Sequence, residues 1–158
     1  AVYLKEVLNY SAFVIGFHIA LITAAGIIST PIMGLLSDKY GRKLIIMIAM
    51  ILMSIFLFLF LIFKTGIGLI VLMSLLGMFF FSVMPIITAA TMDRVPEGSE
   101  GSGTALNFIG MSVVGFISPL FAGLIYSIYG FDGISIMSGT IAVFGVVLCG
   151  LLPIKKVS

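Results

Sequence analysis

Charged residues are rare in this chain, and four of them stand close together in the segment GLLSDKYGRK, residues 34–43. Asp38 and Arg42 lie four residues apart there, between two long apolar runs. Asp93, the next acidic residue along the chain, follows a third apolar run. A guanidinium and a carboxylate can form a bidentate ion pair that is made in one packing and broken in another. The chemistry that these three residues indicate is reversible charge pairing.

His18 is the single histidine of the chain and lies deep in an apolar run. If that run is helical, Ala25, Gly26 and Ser29 share its face, which makes the face small and suited to an interior position. An ionisable side chain in such a run is a candidate for contact with a substrate or a proton. The alternative is a neutral imidazole bonded to a serine or to a carbonyl group, and the sequence leaves both open.

Other polar residues inside apolar runs are candidates for a solute pathway. Asn107 either bonds to a neighbouring helix or lines a cavity, and Ser74 and Ser112 are further candidates. Ser112 with His18 is also the one combination that would suit an intramembrane serine protease. No spacing of possible ligands is typical of a metal site, and we expect neither a metal nor another cofactor.

The composition of the chain excludes an ordinary soluble domain. Hydrophobic residues make up 61% of the 158 residues and charged residues 9%, whereas soluble domains carry about 25% charged residues. The mean hydropathy is +1.35. Apolar runs of about 20 residues recur, which is long enough to cross a hydrocarbon core about 30 Å thick. The sequence therefore predicts an integral membrane protein surrounded by lipid, and it contains no basic run that suggests a nucleic-acid partner.

Charges, prolines and glycines divide the chain into five predicted spans. Backbone groups in lipid need internal partners, so each span is predicted to be an α-helix and the fold class is all-α. The spans are predicted at about residues 13–36, 44–63, 67–92, 104–126 and 133–152. Pro85 and Pro119 fall inside two of these spans and are expected to bend their helices. Gly115 and Gly123 mark a flexible or closely packed part of the fourth span.

The basic residues predict the orientation in the membrane, because lysine and arginine accumulate on the cytoplasmic side. The other side holds only Lys5 and Lys64. We therefore expect the amino end outside and the carboxyl end inside a cell membrane. An odd number of spans then indicates a piece of a longer protein, whose preceding helix is not included. The bases on the predicted cytoplasmic side are Lys39, Arg42, Lys43, Arg94, Lys155 and Lys156.

The charged segment between the first two predicted helices has the residue types of a tight turn between antiparallel helices. Gly41 is expected to take a positive φ, and Gly34 to admit a neighbouring helix. Arg42 then stands at the positive end of one helix dipole and Asp93 at the negative end of another, where each charge is disfavoured by about 0.3–1 kcal/mol. Pairing the two charges relieves both misplacements. Asp38 is expected to accept hydrogen bonds from the N–H groups of a nearby helix start.

Three stretches of the chain resemble the major facilitator superfamily. Residues 34–43 are similar to its G-x-L-(a/s)-D-(r/k)-x-G-R-(r/k) signature, which lies in the cytoplasmic loops after the second and eighth helices. PIITAATMDRVPEGSEGSGTALNF, residues 85–108, resembles the tenth helix and the start of the eleventh, although its loop is more acidic and glycine-rich than the family's. GFISPLFAGLIYSIYG, residues 115–130, resembles the eleventh helix and the turn after it.

The resemblance implies a partial carboxyl-terminal transmembrane domain over residues 1–158, in which five helices form most of one six-helix half. The partners would be the missing amino-terminal six-helix half and the preceding helix. The implied function is secondary active transport of a small solute by alternating access. The apolar composition favours an amphipathic or weakly polar organic substrate, with or without a coupling proton. The implied gating residues are Gly34, Asp38, Gly41, Arg42 and Asp93.

The resemblance leaves a second function open. A non-transporting receptor or assembly protein could use the same fold. Uptake of solutes by the full-length protein in liposomes would distinguish it from a transporter, and loss of a proteolytic activity in Ser112→Ala would instead indicate the protease.

Overall fold

The computed structural model describes residues 2–151, and every regular element in that range is an α-helix. The predicted all-α membrane protein is confirmed, because all the helices except the short α1 are long and apolar enough to span a membrane. Three residues of the predictions, Leu152, Lys155 and Lys156, lie outside the described residues. The helices are α1 (Val2–Glu6), α2 (Ala12–Tyr40), α3 (Arg42–Leu59), α4 (Gly66–Met92) and α5 (Glu100–Leu151).

Gly41 alone separates α2 from α3. Its φ is 99° and its ψ is 135°, and its N–H donates to the carbonyl oxygen of Ser37 at 2.9 Å. The positive φ predicted for this position is confirmed, and a residue with a Cβ would be strained there. At the opposite end of α2, the hydroxyl of Ser11 accepts from the N–H of Val14 at 3.4 Å and so caps the helix.

Helix α5 is broken at Gly130, whose φ of 64° and ψ of −155° belong to a region that glycine alone enters readily. We call residues 100–129 its first arm and residues 131–151 its second arm. The break changes the direction of the chain at a single residue, so that no loop is needed between the two arms.

The second arm of α5 runs antiparallel to α3. The hydroxyl of Ser54 donates to the carbonyl oxygen of Gly139 at 3.1 Å. Lys43, which lies earlier in α3, donates to the carbonyl oxygen of Gly150, which lies later in the arm, at 2.7 Å. The second arm therefore returns along the bundle toward the end at which α3 begins.

The ion pairs of the described residues cluster at two opposite ends of the bundle. The end where α2 meets α3 carries Asp38, Arg42 and Asp93, and we call it the Arg42 end. The end where α3 is followed by α4 carries Lys64 and Asp132, and we call it the Lys64 end.

Helices α2 and α4 lie side by side, run in the same direction and approach closely at two glycines. A Cβ at Gly77 would lie 2.5 Å from the backbone oxygen of Ile22. A Cβ at Gly26 would lie 2.5 Å from the ring of Phe81. Small residues allow membrane helices to pack at such short distances. The sequence predicts a close approach at Gly34, where a Cβ would meet nothing within 4 Å, so no helix among residues 2–151 makes that approach.

The buried core divides between the two ends of the bundle. One cluster of buried side chains lies at the Lys64 end around Leu69, and another lies at the Arg42 end around Ile46. The first arm of α5 is much less covered, since residues 108–121 are all exposed. Its apolar surface is left for lipid or for protein outside this chain.

Candidate functional site

Arg42 and Asp93 occupy the helix ends at which their charges are least favoured. Arg42 is the first residue of α3 and directly follows the N-cap, Gly41. Asp93 is the C-cap of α4. The dipole of α3 is positive at its start and the dipole of α4 is negative at its end, so each charge gains from a partner of opposite sign.

The two side chains are partners of each other. Nε of Arg42 donates to Oδ2 of Asp93, and Nη2 donates to Oδ1 at 3.3 Å. The Arg42 side chain is 20% exposed and that of Asp93 is 29% exposed, so the contact lies at the edge of the bundle and is partly shielded from solvent. A forked contact of this kind fixes orientation as well as charge. The pairing predicted from the two helix ends is present in the structure.

Asp38 joins this pair from the last turn of α2. Its Oδ1 lies 3.0 Å from Nη1 of Arg42, and its side chain is 62% exposed. The sequence predicts that Asp38 accepts hydrogen bonds from the N–H groups of a helix start. In the structure Asp38 pairs with the guanidinium of Arg42, because Asp38 and Arg42 are four positions apart across the turn at Gly41. We call Asp38, Arg42 and Asp93 the Arg42 cluster. It links the ends of α2, α3 and α4.

His18 is buried, with 4% of its surface exposed. Its Nδ1 lies 2.7 Å from the carbonyl oxygen of Val14, and since a carbonyl oxygen only accepts, Nδ1 carries the hydrogen. In the neutral ring Nε2 then presents a lone pair, and this atom is buried without a hydrogen-bond partner among residues 2–151. The ring of Tyr10 is 5.6 Å away between centroids. The hydrogen bond to a carbonyl oxygen, which is one of the two predicted alternatives, is thus present at Nδ1, while Nε2 can accept a hydrogen bond or a proton.

Asn107 and Ser74 both have partners within the chain. Nδ2 of Asn107 donates to Oγ1 of Thr91 at 3.2 Å, which joins the first arm of α5 to α4. The hydroxyl of Ser74 donates to the carbonyl oxygen of Ile70 in its own helix at 2.9 Å. Both residues keep the capacity to accept a further hydrogen bond.

Ser112 lies on the exposed part of the first arm of α5. Neither ring nitrogen of His18 bonds to it, since Nδ1 is engaged by Val14 and Nε2 has no partner within residues 2–151. A serine nucleophile needs its base within hydrogen-bond distance. The structure therefore does not bring these two residues together as a protease would require.

Prolines lie inside three of the long helices, at Pro31 in α2, Pro85 in α4 and Pro119 in α5. Each removes one backbone donor and can bend its helix. The sequence prediction of bent helices names Pro85 and Pro119, although Pro31 also lies in an apolar run and could have been predicted in the same way. Gly115 and Gly123 flank Pro119, and a Cβ at either would meet open space in the described chain. Close packing at these glycines requires protein from outside this chain.

Two further polar contacts are not predicted from the sequence. Nζ of Lys64, in the turn after α3, lies 2.7 Å from Oδ1 of Asp132 at the start of the second arm. The hydroxyls of Ser29 and Ser82 lie 3.0 Å apart between α2 and α4, and both residues are buried. The opposite charges of two turns on the same side of the membrane could have indicated the first contact. The serines offered no signal, because their meeting depends on how each helix is rotated.

A partly open cavity of about 370 Å³ lies toward the Lys64 end of the bundle. Its walls are mainly apolar, and Tyr3, Phe60, Phe80 and Phe131 are among the side chains that line it. The hydroxyl-bearing Ser135 adds a polar group. Such walls suit an apolar or amphipathic molecule.

Comparison with known proteins agrees with this arrangement of helices and charged turns. The family model described as Major Facilitator Superfamily matches residues 1–157. The chain belongs to the major facilitator superfamily. Members of this superfamily are membrane transporters, and the chain is accordingly an integral membrane protein of the cell membrane.

The chain is similar to two curated relatives in the superfamily, both called Multi-drug resistance efflux pump PmrA, from two strains of Streptococcus pneumoniae. Each is 30% identical over 139 residues, which is 87% of this chain and 34% of the pump. The chain thus spans about a third of the length of these relatives. No solved structure matches the chain.

Proposed function

We propose that this chain forms part of the carboxyl-terminal half of a secondary active transporter, which moves a small organic solute by alternating access. The Arg42 cluster carries the proposal, because one guanidinium connects carboxylates from α2 and α4 at the start of α3. These contacts involve side chains alone, so they can break without unwinding a helix. A breakable contact at the ends of three helices, in a member of a transporter family, supports a gate.

In the proposed cycle, the Arg42 cluster is intact when the Arg42 end is closed, which is the outward-facing state. Opening moves the end of α4 away from the start of α3 and separates Arg42 from Asp93. Each charge then stands at a helix end that disfavours it by about 0.3–1 kcal/mol. The closed state is therefore preferred until the substrate or the other half supplies compensating contacts.

The partners in this proposal are the amino-terminal six-helix half and the helix that precedes α1. The uncovered surface of residues 108–121 and the open space beside Gly34 support them, as does the greater length of the relatives. Gly41 supplies the tight turn that holds Arg42 in place. The excess of basic residues at the Arg42 end favours the cytoplasm for this end and the outside for the amino end.

The proposed substrate is an amphipathic or weakly polar organic molecule. The aromatic walls of the cavity support this class, and so does the similarity to relatives that are named multi-drug resistance efflux pumps. His18 is the proposed contact for the substrate or for a coupling proton, since its buried Nε2 has no partner among the described residues. Asn107, Ser74 and Ser112 are the further candidates along the pathway.

The test uses the full-length protein in liposomes, with transport measured over a panel of organic solutes and pH gradients. Arg42→Ala and Asp93→Ala are expected to lower the turnover rate more than the affinity for the solute, because the cluster acts on the gate. Lys39→Ala is the matched control, since it removes a base from the same turn. The Lys39 ammonium lies 5.3 Å from the centre of the Tyr40 ring and forms no part of the Arg42 cluster.

Two outcomes would contradict different parts of the proposal. Unchanged turnover in both Arg42→Ala and Asp93→Ala would refute the gating role and leave the transport function standing. A folded full-length protein that moves no solute under any gradient would refute transport and favour a receptor or assembly protein on the same fold.

A further inference from the structure

We propose that a second group of residues, at the Lys64 end, is a clasp that stays closed while the Arg42 end opens and closes. The clasp consists of Tyr3, Lys64, Phe131 and Asp132, beside the break at Gly130. This inference rests on the proposed transport function, because a fixed end has a role only in a protein whose other end moves. It makes the clasp residues positioning residues, which hold the helices of this half together during the cycle.

Polar contacts of the clasp join three separate segments. Nζ of Lys64 lies 2.7 Å and 2.8 Å from the two carboxylate oxygens of Asp132, which ties the turn after α3 to the second arm of α5. The hydroxyl of Tyr3 donates to the carbonyl oxygen of Lys64 at 3.0 Å, which adds the amino-terminal helix α1. Lys64 thus takes part twice, through its ammonium group and through its backbone.

Aromatic packing reinforces these polar contacts. The rings of Tyr3 and Phe131 stack with centroids 4.0 Å apart and an interplanar angle of 21°. Phe60, at the end of α3, meets Phe131 edge to face with centroids 6.1 Å apart. Leu4, the neighbour of Tyr3, is 2% exposed in the apolar core at this end. Opening the clasp would return this apolar surface to water, which opposes opening.

The charges of the clasp are placed where no helix end disfavours them. Asp132 is the second residue of the second arm, near the positive end of its dipole, whereas Lys64 lies beyond the last turn of α3. Arg42 and Asp93 have the reverse placement. Asp132 is therefore stabilised with or without Lys64, and Lys64 is not disfavoured by a helix end, whereas Arg42 and Asp93 depend on their pairing.

The two ends consequently differ in what holds them. Side-chain charge contacts alone close the Arg42 cluster itself, so a competing partner can open it, and the bond from Lys43 to Gly150 and the buried side chains around Ile46 at the same end do not include its three residues. The clasp adds a bond to a backbone carbonyl, a ring stack and a buried side chain, which would all have to be lost together. Gly130 also sets the direction of the second arm by a backbone conformation that few residues can adopt. This half is therefore expected to deform at the Arg42 end and to remain fixed at the Lys64 end.

Cross-linking at each end of the full-length protein tests the difference. Cysteine pairs replace Lys64 and Asp132 in one variant, and Arg42 and Asp93 in the other, both in a Cys149→Ala background. A short thiol-specific bifunctional reagent then bridges each pair in liposomes. Transport is compared before and after cross-linking of the same variant, so the effect of the substitutions themselves cancels.

Cross-linking at the Lys64 end is expected to change transport by less than about twofold, and cross-linking at the Arg42 end to reduce it by more than about tenfold. A large loss at the Lys64 end would overturn the clasp, because it would mean that Lys64 and Asp132, within this half, must separate during the cycle. Retained transport after cross-linking at the Arg42 end would refute the gate of the proposed function, and with it the contrast between a moving end and a fixed end, but it would not show that the contacts of the clasp open.

Distances between spin labels test the clasp even if no transported solute is identified. Spin labels are attached in the full-length protein at Ile62 and Ile128, both exposed near the Lys64 end, and in a second sample at Tyr40 and Glu97, exposed near the Arg42 end. The first pair is expected to show one narrow distance distribution, and the second a broad or double one. Two distances at the Lys64 end would overturn the clasp whether or not transport is detected.

Discussion

Arg42 begins α3, Asp93 ends α4, and the two side chains form a forked contact across those helix ends. Each charge is destabilised by its own helix and compensated by the other. An ordinary exposed ion pair contributes about 0–1 kcal/mol. Removing Arg42 also leaves Asp93 uncompensated, and removing Asp93 leaves Arg42 with Asp38 alone, so Arg42 and Asp93 are expected to be more strongly coupled than an ordinary surface pair.

A double-mutant cycle measures that coupling. Arg42→Ala and Asp93→Ala are each expected to lower the thermal stability of the full-length protein, and the double variant is expected to lose less than the sum. The expected coupling free energy is about 1–3 kcal/mol, as for hydrogen bonds between charged groups. Asp93→Ala should be the milder single variant, because Arg42 keeps Asp38 as a partner. Lys39→Ala serves as the control, and strictly additive effects would exclude the coupling.

Two substitutions of His18 distinguish the roles of its two ring nitrogens. Asparagine places an amide near the position of Nδ1, and glutamine places one near Nε2, so His18→Asn removes the Nε2 acceptor and His18→Gln retains a group there. If Nε2 bonds to the substrate, transport is expected to fall in His18→Asn and to persist in His18→Gln. If Nε2 carries a proton, both variants should lose the dependence of transport on a pH gradient. Full transport in both variants, with unchanged pH dependence, would remove His18 from the pathway.

Gly77→Ala tests the packing of α2 against α4. The added Cβ would lie 2.5 Å from the backbone oxygen of Ile22, which cannot move aside as a side chain could. The free energy of unfolding is expected to fall by about 1–3 kcal/mol, as in other overpacked sites. Gly16→Ala on α2 is the control, since its Cβ meets nothing within 4 Å, and it is expected to raise stability by about 0.5–1 kcal/mol because alanine favours the helix. Equal melting temperatures for the two variants would place the close approach elsewhere.

Gly123→Leu tests whether the exposed first arm of α5 is covered in the full-length protein. The chain described here leaves open space at Gly123. If helices from outside this chain pack on this arm, the leucine is expected to lower the melting temperature of the full-length protein by overpacking the interface. Gly101→Leu, near the start of the same arm, also meets open space and provides the control. An unaltered melting temperature in Gly123→Leu would leave this face of the arm to lipid.

Much of the fold follows from residues that are neighbours along the chain. Apolar runs of about 20 residues require membrane-spanning helices, because lipid offers the backbone no other partners. The positive φ of Gly41 follows from its missing Cβ and from the short connection between two helices. The unfavourable positions of Arg42 and Asp93 follow from the dipoles of their own helices. These properties are local, so the sequence was enough to predict them and the pairing that relieves them.

The contacts between helix faces could be found only in the packed bundle. Asp38 bonds to Arg42 and not to a helix start among the described residues, and the close approach of α2 to α4 falls at Gly26 and Gly77, a contact that the sequence did not indicate. Each residue turns a helix by about 100°, so a small error in rotation or in register presents a different side chain to the neighbour. The rotation of every helix is set jointly by the close packing of all the others, which no local pattern of residues encodes.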